Sequence, residues 1–224
     1  MPISFQELVA ARRSVRDYLP TPLSQEDIAG VLRDAQMAPS NCNTQPWIVH
    51  MVSGWKRREL SAALQSDFSE GRSSPDFPFD VSNFHGKYEK RRQDQGKLYY
   101  ISMGIERDDQ EGRIKAISRN LKFFDAPHVA FVFMPPICGN EVHAAADIGM
   151  FAQNFLLSLF SRGYAGIAQG ILGEYAGTVK RELGVAVDYR LMFGISFGHE
   201  DKQGLSAAVR VGRAPSNEVA FFHG

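Results

Sequence analysis

The segment EVHAAADIGMFAQNFLLSLFSRG, Glu141 to Gly163, constrains the fold more than any other part of the chain. Its spacing predicts one long helix. In the second half Ile148, Met150, Phe151, Phe155, Leu156, Leu157, Leu159 and Phe160 leave almost no polar face. A helix apolar on nearly every side must be covered on nearly every side. A chain of 224 residues, 44% of them hydrophobic, can bury a substantial core. Covering this helix is easier still if a second copy of the chain takes one side, so an obligate homodimer is expected.

Around that helix the sequence reads as alternating helices and short strands. Ser4-Phe5-Gln6-Glu7 has the capping-box form, which predicts a helix from Ser4 to about Arg13. Ser24 opens a second helix with Ile28, Val31, Leu32 and Ala35 on one face, and Pro39 stops it. Trp47–Val52, His128–Met134 and Tyr189–Gly198 are runs rich in β-branched and aromatic residues, the pattern of buried strands. YAGIAQGIL reads as a further short strand and loop. Helical patterns cover Gly54–Gln65, Leu98–Met103, Asp108–Leu121 and, as a helix end, Thr178–Leu183. Between Asp67 and Lys97 no period is sustained, and the reading there is a long surface excursion of the kind that covers a site. The apolar end VAFFHG is expected to dock on something. The fold expected is α+β, a three-layer α/β/α arrangement around a small sheet, formed by residues 1–224 as one domain.

Composition excludes several function classes. The 25 basic and 25 acidic side chains cancel, so no global field draws the chain to nucleic acid or an anionic membrane. No stretch approaches a charge-free bilayer span, and MPISFQELVAARR lacks the features of a signal peptide. Cys42 and Cys138 stand far apart outside any CxxC pair, which fits a reducing cytoplasm. No GxSxG, SxxK, GxxxxGK[ST] or GxGxxG motif is present. His143 and Asp147 share a helix face without a third ligand nearby, so no metal is expected.

Two stretches remain that carry chemistry. In RRSVRDY, Arg12, Arg13 and Arg16 surround Ser14; guanidinium forks fit phosphate, so this is a local anion grip in an otherwise neutral chain. In PSNCNTQPW, Ser40, Asn41, Asn43 and Gln45 offer donors and acceptors suited to the edge of a planar heterocycle. The alternative is a solvated arginine cluster and a polar connection.

Together RRSVRDY and APSNCNTQPW resemble the paired signature of the nitroreductase family of flavoproteins. RNLKFFDAPHVAFVF, DIGMFAQNFLLSLFSRGY, GIAQGIL and RVGRAP extend the likeness over essentially the whole chain, nearest to the branch that reduces nitrobenzoates and other nitroaromatics. The resemblance implies an intertwined homodimer with flavin mononucleotide (FMN) at the subunit interface, NADH or NADPH as electron donor and a small aromatic acceptor. It implies that Arg12, Arg13, Ser14 and Arg16 hold the FMN phosphate and ribityl chain, with Arg210 and Arg213 closing the phosphate site. Pro39, Ser40, Asn41, Asn43 and Gln45 would approach from the other subunit, and Ala168, Gln169, Gly170 and Ile171 would lie along the isoalloxazine. Many relatives have Pro at the position of Ala168, and some have Glu near Leu172. The cofactor carries the chemistry in such enzymes, so no acid–base dyad is expected. Phe77, Phe79, Phe84, Tyr88, Tyr99 and Tyr100 could roof the acceptor, and Lys87 or Arg91 could meet a carboxylate on it. Quinones, azo compounds or halogenated aromatics are alternative acceptors, and a non-catalytic anion-binding module is the reading from another class.

Overall fold

A computed structural model describes residues 3–224. Seven α-helices and four strands occur among them: α1 (Phe5–Ala11), α2 (Gln25–Ala35), β1 (Ile48–Ser53), α3 (Gly54–Ser69), α4 (Lys87–Ser102), α5 (Gln110–Leu121), β2 (His128–Met134), α6 (Glu141–Ser161), β3 (Ala165–Gln169), α7 (Ala176–Leu183) and β4 (Arg190–Gly198). The strands form one sheet in the order β1-β2-β4-β3, with every pair antiparallel.

β2 sits inside the sheet, and all of its residues are buried. Its side chains alternate between two cores, as strand geometry requires. Ala130, Val132 and Met134 join α2 and α6 on one face, while Val129, Phe131 and Phe133 join α3, α7 and the end of α5 on the other. Three layers result. The register between β2 and β4 shifts between Val132 and Phe133, so that Val132 pairs with Phe193 and Phe133 with Leu191. The extra residue, Met192, is a β-bulge; beyond it Leu191 faces the α3/α7 core, whereas Phe193 and Ile195 face α6.

The capping box of α1 forms as its sequence requires: Ser4 Oγ accepts the Glu7 N–H at 3.2 Å, and the Glu7 carboxylate accepts the Ser4 N–H at 2.8 Å. The helix ends at Ala11, two residues before the expected Arg13. In α6, Ile148, Phe151, Phe155 and Leu159 are essentially inaccessible, yet Val142, Ala146, Gly149, Met150 and Gln153 form an exposed strip. A single chain therefore covers only part of this helix.

The excursion expected over Asp67–Lys97 is shorter than its sequence pattern indicates. α3 continues to Ser69, and α4 begins at Lys87. The first turns of α4, KYEKRRQDQ, have no apolar stripe; they are held by good helix formers and by i,i+4 pairs, Glu89 accepting from Gln93 and Lys90 pairing with Asp94. Hydrophobic periodicity cannot reveal such a helix.

Between α5 and β2 the chain turns through Phe123, Phe124 and Asp125, all at positive φ (59°, 53° and 62°). Each such residue costs about 1–2 kcal/mol. The turn persists because Phe123 is buried in the α3/α7 core, whereas Phe124 is buried in a third cluster with Val15, Tyr18 and Tyr99.

His128, at the start of β2, is buried and stacks on Phe197 with ring centroids 5.2 Å apart. Its Nε2 accepts the Leu23 N–H at 2.9 Å, which requires a neutral ring. Burial, then the charge of Arg57, pushes its pKa below the usual 6.5. The unfolded chain takes up this proton as pH falls through about 6.5 and the folded chain resists, so stability is lost on that side. Urea midpoints should fall between pH 7.5 and pH 5.5, and His128→Asn should flatten part of that slope. His50, also pushed down by burial, supplies another part.

Candidate functional site: a cationic cleft continued by an aromatic groove

After α1 the chain runs extended and Ser14 bridges in parallel to Gly166 of β3, the Val15 N–H reaching the Gly166 carbonyl at 3.5 Å. Val15 and Tyr18 turn inward to the third cluster, while Ser14 is exposed and Arg12, Arg13 and Arg16 are half-buried along the sheet edge. Here they line a cleft of about 630 Å³ together with Gln95, Arg210 and Arg213. Six of the sequence-predicted residues thus meet in one place.

Their charges are not equally free. Arg13 is paired with Glu200. Arg210 donates to the Ala207 carbonyl at 2.8 Å and Arg213 to the Val211 carbonyl at 3.0 Å, both within their own tail segment. Neither they nor Arg12 meets a carboxylate among the described residues. Burial, then the charge of Arg213, pushes the Arg12 guanidinium below its ordinary pKa. Such a cluster is relieved by an anion.

Asp17 holds this end together. Its carboxylate accepts from Arg119 at 2.6 Å and from the Ser206 N–H at 3.0 Å, with the Ser206 hydroxyl on the same oxygen. Its carbonyl accepts the Asp201 N–H at 2.9 Å. A Cβ at Gly204 would overlap Asp17, so the tail passes at backbone distance. Arg119 also donates to the Arg16 carbonyl at 2.7 Å and the Tyr99 hydroxyl at 3.2 Å. The Arg16 guanidinium lies over the Tyr99 ring, 5.1 Å from its centroid.

From Arg16 the groove continues past Gln95, Gly96, Tyr99, Tyr100 and Asn120. It opens into a pocket of about 980 Å³ walled by Phe79, Phe84, Tyr100 and Ile171. Ala168 and Gly170 are exposed, whereas Gln169 is only 3% exposed. The Gln169 carboxamide is committed inside: Nε2 donates to the Asn120 carbonyl at 3.0 Å, and Oε1 accepts from the Ser196 hydroxyl. Any donor this segment offers to a ligand is therefore a backbone N–H.

None of Pro39, Ser40, Asn41, Asn43 or Gln45 lines the groove. Their loop leads into β1, at the opposite sheet edge from β3. Asn41 donates its N–H to the buried carboxylate of Asp147 at 3.0 Å, and Ser40 Oγ accepts the Gln45 N–H at 2.9 Å. Asp147 is thus a loop anchor. Cys42, Asn43 and Gln45 adopt φ of 51°, 56° and 48°, a strain of the kind concentrated at functional sites.

Of the aromatic residues expected to roof the site, Phe79, Phe84 and Tyr100 line the wide pocket and Tyr99 the narrow one. Phe77 lies under Arg190, and Tyr88 is exposed. The expected carboxylate partners are corrected: Arg91 pairs with Glu218 at 2.6 Å, and Lys87 donates to the Glu218 carbonyl at 3.5 Å. Both fasten the tail to α4. Sequence reasoning missed Gln95, Asn120 and the Asp17 junction. The first lies in the unread part of α4, and the others act through partners more than a hundred residues away or buried from view.

An antiparallel sheet between helical layers, with an arginine cleft along one edge and a strained amide loop at the other, defines an α+β ligand-binding fold. The Nitroreductase family model matches residues 9–199, and the chain belongs to that family. It is 38% identical to nitroreductase NfnB of Mycolicibacterium smegmatis over 97% of this chain and 92% of that one. With a 4-nitrobenzoate reductase of Pseudomonas putida it shares 31% identity over 98% and 96%. The structure of the FMN-dependent nitroreductase NfnB from Mycobacterium smegmatis with NADPH superposes with a TM-score of 0.93, covering 98% of this chain and 97% of that one. The FMN- and NADPH-dependent NfnB of a Sphingopyxis strain gives 0.94 at 32% identity, covering 99% and 100%.

Asp17→Ala leaves Arg119 without its carboxylate and releases Ser206. The pair is half-buried, and loss of one partner costs about 1–3 kcal/mol. The variant should unfold at lower denaturant, and trypsin should cut the folded protein near Arg210 and Arg213 faster than it cuts the parent.

Proposed function

We propose that this chain is an FMN-dependent NAD(P)H oxidoreductase that reduces nitroaromatic compounds, working as a homodimer whose two FMN sites are shared between subunits. One observation carries the reading: a cleft in which Arg12, Arg210 and Arg213 have no carboxylate partner among the described residues opens into an aromatic groove, which matches a phosphate at one end of a ligand and a planar ring at the other. The full-length likeness to FMN-dependent nitroreductases supports it.

The residues present fit FMN. Arg12, Arg210 and Arg213 supply unspent charge for the phosphate, and Ser14 adds an exposed hydroxyl. Arg13 shapes the cleft through Glu200, and Arg16, pushed down in pKa by burial and stacked on Tyr99, borders the passage toward the ring. Bound FMN supplies two-electron redox chemistry, taking electrons from NADPH or NADH and giving them to the acceptor in alternation. The chain itself positions the ligands. Gly170 and Ile171 begin a 3-10 turn, where backbone N–H groups lack helical partners and can face electron-rich ring atoms. Gln169 braces that turn from inside.

Sheet order supports the dimer reading. β1 and β3 are three strand spacings apart, about 14 Å of sheet. The Pro39–Gln45 loop of one chain therefore stands across the sheet from its own arginine cleft, and a partner's loop completes the site instead. The exposed strip of α6 and the side chains of Met37, Phe221 and Phe222, at 77%, 75% and 98% exposure, are surface that a second copy would cover. Residues 1–224 act as one domain in this reading. Both cysteines are free, which supports a reducing cytoplasm, and no helix among the described residues is long and apolar enough to cross a membrane.

The test is a visible spectrum of the purified protein, then anaerobic reduction with each nicotinamide and addition of 4-nitrobenzoate. Flavin bands that bleach with NADPH or NADH and return with the nitroaromatic are expected; a colourless protein that takes up no FMN would overturn the reading. Arg12→Ala and Arg213→Ala should each weaken FMN binding roughly 10- to 100-fold, the worth of one charge-assisted hydrogen bond. Fluorescence titration of the apoprotein measures it.

A further inference from the structure

The wide end of the groove carries a second concentration of positive charge, separate from the Arg12 cleft. Arg92 and Lys97 on α4, Arg107 before α5 and Arg113 on α5 line it, against one carboxylate, Glu106. The ion pairs of α4 and α5 involve other cations, namely Lys90–Asp94, Arg91–Glu218, Lys115–Glu111 and Arg119–Asp17. All four pocket cations thus lack acidic partners among the described residues. Arg113 is the most committed of them: half-buried, its guanidinium stacks over the Tyr100 ring at 4.9 Å, and its Nε is buried with no acceptor. The Arg113 side chain makes no hydrogen bond among the described residues, so no acceptor within the chain competes with a ligand anion for its guanidinium. The FMN phosphate has its own arginines, so this charge is available to another anion.

We propose that this pocket is a second anion subsite, built to hold the anionic group of the ligand that visits the flavin ring, with Arg113 as the principal donor. The inference rests on the reductase reading above. The ligand class is an aromatic carboxylate acceptor, its ring between Phe79, Phe84 and Tyr100 and its carboxylate on Arg113 with Arg107 at the rim. The 2′-phosphate of NADPH presents the same anionic chemistry, and the experiment separates the two.

Arg113→Gln is compared with the parent as FMN-loaded protein. Acceptor kinetics use 4-nitrobenzoate and nitrobenzene with NADH as donor; donor kinetics use NADPH and NADH with nitrobenzene as acceptor. Calorimetry with benzoate, which cannot be reduced, reads the subsite without turnover. The expected result is a KM for 4-nitrobenzoate and a Kd for benzoate raised about ten-fold or more, with nitrobenzene within about two-fold and part of the loss recovered in Arg113→Lys. A loss confined to NADPH, with NADH and 4-nitrobenzoate unchanged, supports the subsite and assigns it to the 2′-phosphate. Benzoate, 4-nitrobenzoate and NADPH all unchanged, while nitrobenzene is still reduced, would overturn the subsite and leave the reductase reading standing. Exposed Arg107→Gln carries the same comparison should Arg113→Gln lose its flavin.

Discussion

The two-sided burial of β2 is the constraint on which the rest depends. A strand with seven inaccessible residues needs a helical layer on each face, and α6 and the α3/α7 pair provide them. Once β2 and β4 are interior, β1 and β3 become the edges. The chain segments that carry polar chemistry then run along those edges, the arginine stretch beside β3 and the amide loop ahead of β1. Their separation within one subunit is a consequence of layer packing, and it is the physical basis for reading the site as shared between two copies.

Charge arrangement follows the same logic at a smaller scale. The molecule is neutral overall, yet carboxylates and guanidinium groups are sorted. Asp17 and Glu200 neutralise Arg119 and Arg13, residues that brace the cleft, and leave Arg12, Arg210 and Arg213 facing it unpaired. At the wide end Arg113 has an aromatic ring below it and no ion-pair partner among the described residues. Unpaired cations in a concave, partly desolvated surface cost stability in the free protein. They bind anions strongly for the same reason.

Much of the fold was legible because local and global preferences agree. The Ser4 capping box, the continuous apolar β2 run and the apolar α6 each carry a short-range signal that tertiary packing reinforces. The opening turns of α4 were illegible because polar pairs, rather than an apolar stripe, hold them. With them went Gln95, Arg92 and Lys97, and the pocket they line. Lys87 and Arg91 drew attention as charges near a Phe-rich stretch, but Glu218, far along the sequence, claims both. Gln169 was expected to lie along the isoalloxazine, but its carboxamide is a buried brace, since only the fold puts Asn120 and Ser196 beside it.

By itself the sequence determined most of the helix and strand inventory, the opening turns of α4 excepted, the apolar character of Glu141–Ser161 and the two chemical stretches, Arg12–Arg16 and Pro39–Gln45. Residue type and spacing suffice for these, because caps, periodicity and donor chemistry are local. Tertiary structure alone decided which arginines are free, which glutamine is spent and where the second group of cations converges. Those outcomes depend on pairings across long stretches of chain, such as Asp17 with Ser206, and no local pattern encodes them.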